Sequence, residues 1–205
     1  MVDKGVLAVE HRKDGWDEGA REAEQLEAVL DMTSRIARGL CIAALSLTAT
    51  GAAMAQESTN RVAANTDWSV FVEGDPQECW SVSKPKQTVN TKDGRSVAVR
   101  RGDILLFVSY RSGSGTGEVS FTGGYPFADG STVSLTIGDD EYQLFTDGEW
   151  AWSASPEDDK KIITSMRSGA NAVLVANSSR GTRTEDTFSL MGFTAAVEDA
   201  GKRCE

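Results

Sequence analysis

The sequence has very little histidine and cysteine. Among its 205 residues there is one histidine, His11, and three cysteines, Cys41, Cys79 and Cys204. Hydrolysis by a Ser-His-Asp set and proteolysis by a Cys-His pair both need a histidine base, and histidine is also the commonest metal ligand. Because His11 precedes a predicted cleavable segment, we expect the mature domain to lack histidine and therefore these mechanisms.

Basic residues are also outnumbered. The chain has 21 Lys and Arg against 31 Asp and Glu; six of the basic and nine of the acidic residues precede Gln56, which leaves 15 against 22 and a net charge of −7. An acidic domain is a poor partner for nucleic acid or for an anionic membrane surface. No long apolar run follows Leu47, so we expect no membrane span in the mature form.

Residues Met32–Ala55 have the features of a cleavable signal peptide. Arg35 and Arg38 supply the positive start, Leu40–Leu47 forms an apolar core, and a small-x-small site ends at Ala55. We expect cleavage there and a periplasmic or secreted mature protein. The alternative is an uncleaved helical anchor, which the core disfavours because a span needs about 20 apolar residues.

Residues 1–31 are of mixed charge and stand in front of this signal. Because a signal peptide works at the start of a chain, we expect Met32 to be the true initiator, with residues 1–31 an extraneous or disordered extension. The competing interpretation is a genuine cytoplasmic extension before an uncleaved anchor.

Cleavage would leave Cys79 and Cys204 as an even pair in an oxidising compartment, which favours one disulfide. Chain-entropy models give roughly 4–5 kcal/mol for a bridge that closes a loop of this length. Two free thiols are the alternative.

Beyond a polar, flexible lead-in at residues 56–66, we expect one domain over residues 67–205. It shows short β-type segments separated by turn signals such as Asp93-Gly94. The predicted strands lie at residues 67–73, 79–82, 96–100, 104–108, 119–121, 132–137, 142–145, 149–152, 172–176 and 187–190.

Two helices complete the pattern. Ser155 before Pro156 is a helix-start signal, Ile162, Ile163 and Met166 form an apolar stripe, and Gly169 is expected to end this helix. A second helix is predicted over Phe193–Lys202, with Phe193, Ala196, Val197 and Ala200 on one side. Many short strands with two small helices favour a mainly β protein, a β-sandwich or barrel whose helices cover one edge or end.

Several segments resemble the invasion-associated locus B family of alphaproteobacteria. Besides the export signal they are Asp67-Trp68-Ser69 leading to Cys79, Gly124–Gly130, Ser168–Val173 and the tail Phe188–Val197. The tail is the strongest match, because the family closes on a Ser-Leu-x-Gly-Phe-x-Ala-Ala segment.

The resemblance implies an immunoglobulin-like sandwich in the periplasm or on the cell surface, with a role named from host-cell invasion. The chain departs from many members at Glu149–Trp152, where they carry two cysteines, and is more similar to a subgroup with one cysteine pair. The shared motifs are structural and not catalytic.

Trp150 and Trp152 lie two residues apart, so both point to the same face of a strand. On a solvent face they would form an aromatic platform for a peptide, glycan or protein; on the inner face they would be core. The inner face is favoured for the two tryptophans. Tyr125 and Phe127 leave the same two alternatives open. The candidate binding surface consists of Trp150, Trp152, Tyr125 and Phe127.

The acidic residues Asp139, Asp140, Glu141, Asp147 and Glu149 could hold calcium. Solvated turns are the favoured interpretation, so we expect no metal, no cofactor and no catalytic residue. The leading hypothesis is a non-enzymatic exported protein that binds a protein, envelope or glycan partner. The alternatives are a small carboxylate-based extracytoplasmic hydrolase and an envelope-stabilising protein without a defined ligand.

Overall fold

The computed structural model describes residues 60–205. The predicted extension at residues 1–31 and the predicted signal peptide at residues 32–55 lie outside the described residues. Twelve strands and two helices make up the described part. The strands are β1 (Arg61–Asn65), β2 (Trp68–Glu73), β3 (Glu78–Ser83), β4 (Gln87–Lys92), β5 (Arg95–Ser96), β6 (Leu105–Arg111), β7 (Glu118–Thr122), β8 (Thr132–Ile137), β9 (Asp140–Asp147), β10 (Trp150–Trp152), β11 (Asn171–Asn177) and β12 (Arg183–Ser189). The helices are α1 (Pro156–Ser168) and α2 (Phe193–Arg203).

All twelve strands belong to one antiparallel sheet with the order β1-β2-β3-β6-β7-β10-β9-β8-β11-β12-β4-β5. The sheet folds over on itself and brings distant strands together. Phe121 on β7 thus packs edge-on against Phe188 on β12, with ring centroids 6.1 Å apart. The Trp68 indole of β2 also donates a hydrogen bond to the Ser189 carbonyl at 3.0 Å. The predicted mainly β fold with two helices is confirmed. Its immunoglobulin-like detail stays a prediction.

The inner face of the sheet forms the core. Alternate residues on each long strand are buried there, as strand geometry requires, and Trp68 and Val70 confirm the predicted inward face of β2. Further fully buried side chains come from β6, β7, β8, β9, β11 and β12: Leu106, Val108, Val119, Phe121, Val133, Leu135, Leu144, Leu174 and Phe188.

Helix α1 begins and ends as its sequence predicts. The Ser155 hydroxyl accepts a hydrogen bond from the Asp158 N–H at 3.2 Å and donates to the Asp158 carboxylate at 2.9 Å, which caps the first turn. Gly169 follows the last helical residue with φ −79°, so no left-handed conformation demands a glycine there. Space demands it instead, because a Cβ at this position would lie 2.5 Å from Ile137 Cγ2.

Helix α2 packs against the inner side of the first strands. Phe193 lies edge-on to Trp68, with ring centroids 4.9 Å apart, and the predicted apolar side is buried. Cys204, directly after the helix, is bonded to Cys79 on β3 with the two Cα atoms 5.9 Å apart. The disulfide therefore ties the end of the chain to the sheet. No helix in residues 60–205 is both long and apolar enough to cross a membrane.

Three local predictions were wrong. Part of the expected flexible lead-in is the edge strand β1, which pairs with β2 although its sequence, Arg-Val-Ala-Ala-Asn, lacks the regular apolar alternation of a strand. Strand β4 has the same mixed polarity and was not expected. The strand expected at residues 96–100 ends at Ser96, because the following segment turns Arg101 inward to Asp186.

Candidate functional site

Trp150 and Trp152 lie on the outer face of the sheet. Strands β9 and β10 form a tight hairpin in which Asp147 is opposite Trp150 and Phe145 is opposite Trp152. Gly148 takes the positive φ, 58°, that this turn requires. Ala151, between the tryptophans, is the residue that points inward and is fully buried. The favoured core interpretation of the two tryptophans was therefore wrong.

The tryptophans join two phenylalanines in a continuous row, which we call the aromatic stripe: Phe107, Trp150, Trp152 and Phe145. Ring centroids are 5.7 Å apart for Phe107 and Trp150, 6.3 Å for the two tryptophans, and 5.7 Å for Trp152 and Phe145. Trp150 is 39% exposed and Phe145 49% exposed. The stripe thus crosses strands β6 to β9 on the solvent side.

Small residues on β7 make room for the stripe. Ser120 and Thr122 occupy the outer face between Phe107 on β6 and the tryptophans on β10. Each is only 7% exposed, although it lies on the outer side of the sheet. The neighbouring aromatic side chains therefore cover β7, which makes it the one strand of this region that is buried on both faces.

The same outer face carries a second aromatic pair. Phe71 on β2 is opposite Trp80 on β3, with ring centroids 5.8 Å apart and planes inclined by 7°. Val82 and Phe107 face each other on the adjoining strands and connect this pair to the stripe. Acidic residues flank the stripe, with Asp147 beside Trp150 and Glu118 near the start of β7.

The other two candidate residues lie elsewhere. Phe127 is 4% exposed and packs on Phe121, so its place in the candidate surface was wrong: its side chain belongs to the core. Tyr125 is half-buried; its ring stands edge-on to Phe127, and its hydroxyl is hydrogen-bonded to that of Thr184. Burial raises the pKa of Tyr125.

An internal ion pair lies beside Tyr125. The Arg101 guanidinium donates two hydrogen bonds, of 2.8 and 2.6 Å, to the Asp186 carboxylate, and both side chains are almost completely buried. Arg101 also donates to the Gly123 carbonyl at 2.8 Å and stacks over the Tyr125 ring at 5.0 Å. Burial raises the pKa of Asp186, and the Arg101 contact opposes that change.

The acidic residues considered for calcium are not gathered in one place. Asp139, Asp140 and Glu141 lie at the start of β9, whereas Asp147 and Glu149 lie at its other end. Five strand residues, 142–146, lie between Glu141 and Asp147 and separate the two groups by about 20 Å. Within residues 60–205 no group of three or more His, Cys, Asp or Glu side chains is arranged to hold a metal ion.

Buried carboxylates could serve a hydrolase, and the described part of the chain has two, Asp159 and Asp186. Burial raises the pKa of Asp159, and its side chain accepts a hydrogen bond of 2.8 Å from the Val119 N–H. Val119 lies on β7 just past Ser120, which pairs with the last residue of β10, so the Asp159 carboxylate binds β7 where β10 has ended. Each carboxylate is thus bound to its own structural partner and not to the other.

The sequence prediction missed Phe107 and Phe145 as surface residues. The signal for Phe145 was present, because the Asp147-Gly148 turn fixes which residues of β9 and β10 face each other. Phe107 had no such signal, because it lies in a run, Leu105–Val108, in which every residue is apolar. A two-residue loop at Gly148 and Glu149 places Phe145 opposite Trp152.

The sequence of this chain matches one known protein family over most of the domain. The family model described as "Invasion associated locus B (IalB) protein" matches residues 68–201. The chain belongs to the IalB family. The match runs from the first residue of β2 to helix α2 and includes the whole aromatic stripe. A search of curated proteins found no match.

A similar solved structure is that of invasion associated protein B from Bartonella henselae. It shares 15% sequence identity with this chain and superposes with a TM-score of 0.47. The alignment covers 67% of this chain and 94% of the Bartonella chain.

Proposed function

We propose that this IalB-family member is an exported, non-enzymatic protein that binds another protein of the cell envelope or of a host surface through its aromatic stripe. The observation that carries the proposal is the continuous row of Phe107, Trp150, Trp152 and Phe145 on the outer face, in which Trp150 and Phe145 are exposed and the other two rings are half-buried. Trp, Tyr and Phe are enriched at the centres of protein interfaces, where they supply much of the binding energy.

The surroundings of the stripe favour a protein partner with an apolar centre and a basic edge. Asp147 borders the stripe, and the predicted mature domain has a net charge of −7. Glu118 lies nearby but is already paired with Arg111 at 3.2 Å. Complementary charge at the rim of an interface speeds encounter and selects the partner, while the buried aromatic centre sets affinity.

Export is supported by the predicted signal peptide at residues 32–55 and by the Cys79–Cys204 disulfide. Structural disulfides are typical of oxidising compartments such as the periplasm and the extracellular space. The periplasm or cell surface is therefore the proposed location.

A non-enzymatic role is supported by the engagement of the buried carboxylates. Asp186 is neutralised by Arg101, and Asp159 is bound to the backbone of β7. Glycoside hydrolases instead hold two carboxyl groups a few ångströms apart in an open cleft. The absence of histidine after His11 is consistent with the same role.

The test is crosslinked capture of the full chain in the cells that make it. Trp150→Ala with Trp152→Ala is compared with Val173→Ala with Val175→Ala, because both valines lie two apart on the outer face of β11. We expect a reproducible protein partner that the valine variant retains and the tryptophan variant loses. Equal capture by both variants, or no partner for the unaltered chain, would contradict the proposal.

A further inference from the structure

A cleft of about 520 Å³ lies at one end of the folded sheet. Three segments line it: residues 98–101 of the chain between β5 and β6, residues 124–126 after β7, and residues 178–184 at the tip of the β11–β12 hairpin. Its volume is within the range of small-ligand sites, roughly 300–1,000 Å³. Glu149 also lines the cleft, so it opens next to Trp150.

Positive charge is concentrated around this cleft. Arg100, Arg101 and Arg180 line it, and the Lys92 ammonium donates a hydrogen bond of 3.0 Å to the Arg180 carbonyl. Arg101 is neutralised by Asp186. Arg100 and Arg180 are exposed and form no ion pair with any other residue of the described range 60–205. Arg100 and Arg180 outnumber the one carboxylate in the lining, Glu149, so the cleft keeps a net positive charge in a domain whose overall charge is negative.

The floor of the cleft is rigid. Arg101 is held by its two hydrogen bonds to Asp186 and by the Tyr125 ring, and Tyr125 is held in turn by Thr184. The Gly102 N–H donates to the Gly124 carbonyl at 2.8 Å. A Cβ at Gly124, whose φ is 72°, would lie 2.7 Å from the backbone of Gly102, so the two segments can approach only through glycine. A preformed cleft binds its ligand with less loss of conformational entropy.

The composition of the lining indicates what kind of anion fits. Guanidinium groups bind carboxylate, sulfate or phosphate through paired hydrogen bonds. Glu149 would repel a simple anion, but its carboxylate can accept hydrogen bonds from hydroxyl groups. Ser179 and Thr182 add hydroxyl groups to the same lining. A ligand that combines negative groups with many hydroxyls satisfies both parts of the cleft.

We propose that this cleft binds an anionic oligosaccharide. Its carboxylate or sulfate groups are bound by Arg100 and Arg180, and its hydroxyls donate to Glu149. The cleft adjoins the aromatic stripe but shares no residue with it, and binding of a purified saccharide does not depend on the partner proposed for the stripe. Binding at the cleft can therefore succeed or fail whatever partner the stripe has.

The experiment is calorimetric titration of the purified full chain with three hexasaccharides of equal length: one carboxylated, one sulfated and one neutral. Arg100→Gln with Arg180→Gln removes the two cleft charges. Lys160→Gln with Lys202→Gln removes the same charge from exposed helical positions outside the cleft. Glu149→Gln removes the acceptor carboxylate and the repulsion together. Melting curves establish that each variant is folded.

We expect at least one charged hexasaccharide to bind, and the comparison of the two identifies the group that is recognised. The arginine variant should weaken this binding by about tenfold or more, and the lysine variant by less than about twofold. Glu149→Gln should weaken binding by a few-fold. Tighter binding by Glu149→Gln would show that the cleft prefers a simple anion and overturn the saccharide assignment. Equal losses in the arginine and lysine variants, equal binding of the neutral sugar, or no binding of either charged sugar would overturn the site.

Discussion

The folded sheet has a first half, the strands β1-β2-β3-β6-β7-β10-β9, and a second half, the strands β8-β11-β12-β4-β5. Both halves bury apolar residues on the inner face but present different residues to solvent. Leu106 and Phe121 in the first half and Leu174 and Phe188 in the second are all completely buried. On the outer side the first half has the aromatic stripe. The second half has smaller residues at equivalent outward positions on β8, β11 and β12: Ser134, Thr136, Val173, Val175, Glu185 and Thr187.

The difference between the two outer faces shows whether the fold requires large aromatic residues there. Serine, threonine and valine are ordinary residues for the solvent side of an antiparallel sheet, and the second half is complete with them. The second half thus shows that an outer face of this sheet can be complete without large aromatic residues, although in the first half those residues also cover β7. Their presence there calls for a role beyond folding, and an interface is the role that aromatic surface residues commonly serve.

The largest expected effect is on the inner face. Phe188→Ala removes a fully buried ring that packs on Phe121 between the two halves of the sheet. We expect the free energy of unfolding to fall by about 3–5 kcal/mol, the usual cost of deleting a buried aromatic ring. Urea denaturation of the purified chain measures it. A loss below about 1 kcal/mol would mean that the two halves do not share one core.

A smaller effect is expected on the outer face. Trp150→Thr with Trp152→Thr gives the first half the kind of residue that the second half already has. We expect the pair to lower the free energy of unfolding by about 1–2 kcal/mol in total, because only cross-strand aromatic contacts are lost. The same urea denaturation applies. A loss as large as that of Phe188→Ala would show that the stripe is a structural part of the fold.

Much of this arrangement was predictable from local patterns. The helix limits followed from Ser155, Pro156 and Gly169, and the shared face of Trp150 and Trp152 followed from their spacing. Which face they share was not predictable, because alternation defines two faces without saying which one is covered. The inward turn of a small residue, Ala151, is the reverse of the usual assignment of large residues to the core.

Long-range features were beyond local patterns. The Arg101–Asp186 pair joins residues 85 positions apart, and only the folding of the sheet onto itself brings them together. The cleft around Arg100 and Arg180 depends on the same folding. Strand β1 owes its conformation to pairing with β2, since its own sequence has little apolar alternation. The disulfide was predictable for a different reason, because only two cysteines remain after Ala55.

The central claim is that the outer face of the first half is a protein interface and that of the second half is not. The most direct measurement places a photoreactive amino acid at position 145, in the stripe, or at position 136, on the outer face of β8, in the full chain within its own cells. We expect a crosslinked protein adduct from position 145 that is absent from position 136. Adducts of equal yield from both positions, or from neither, would contradict the claim.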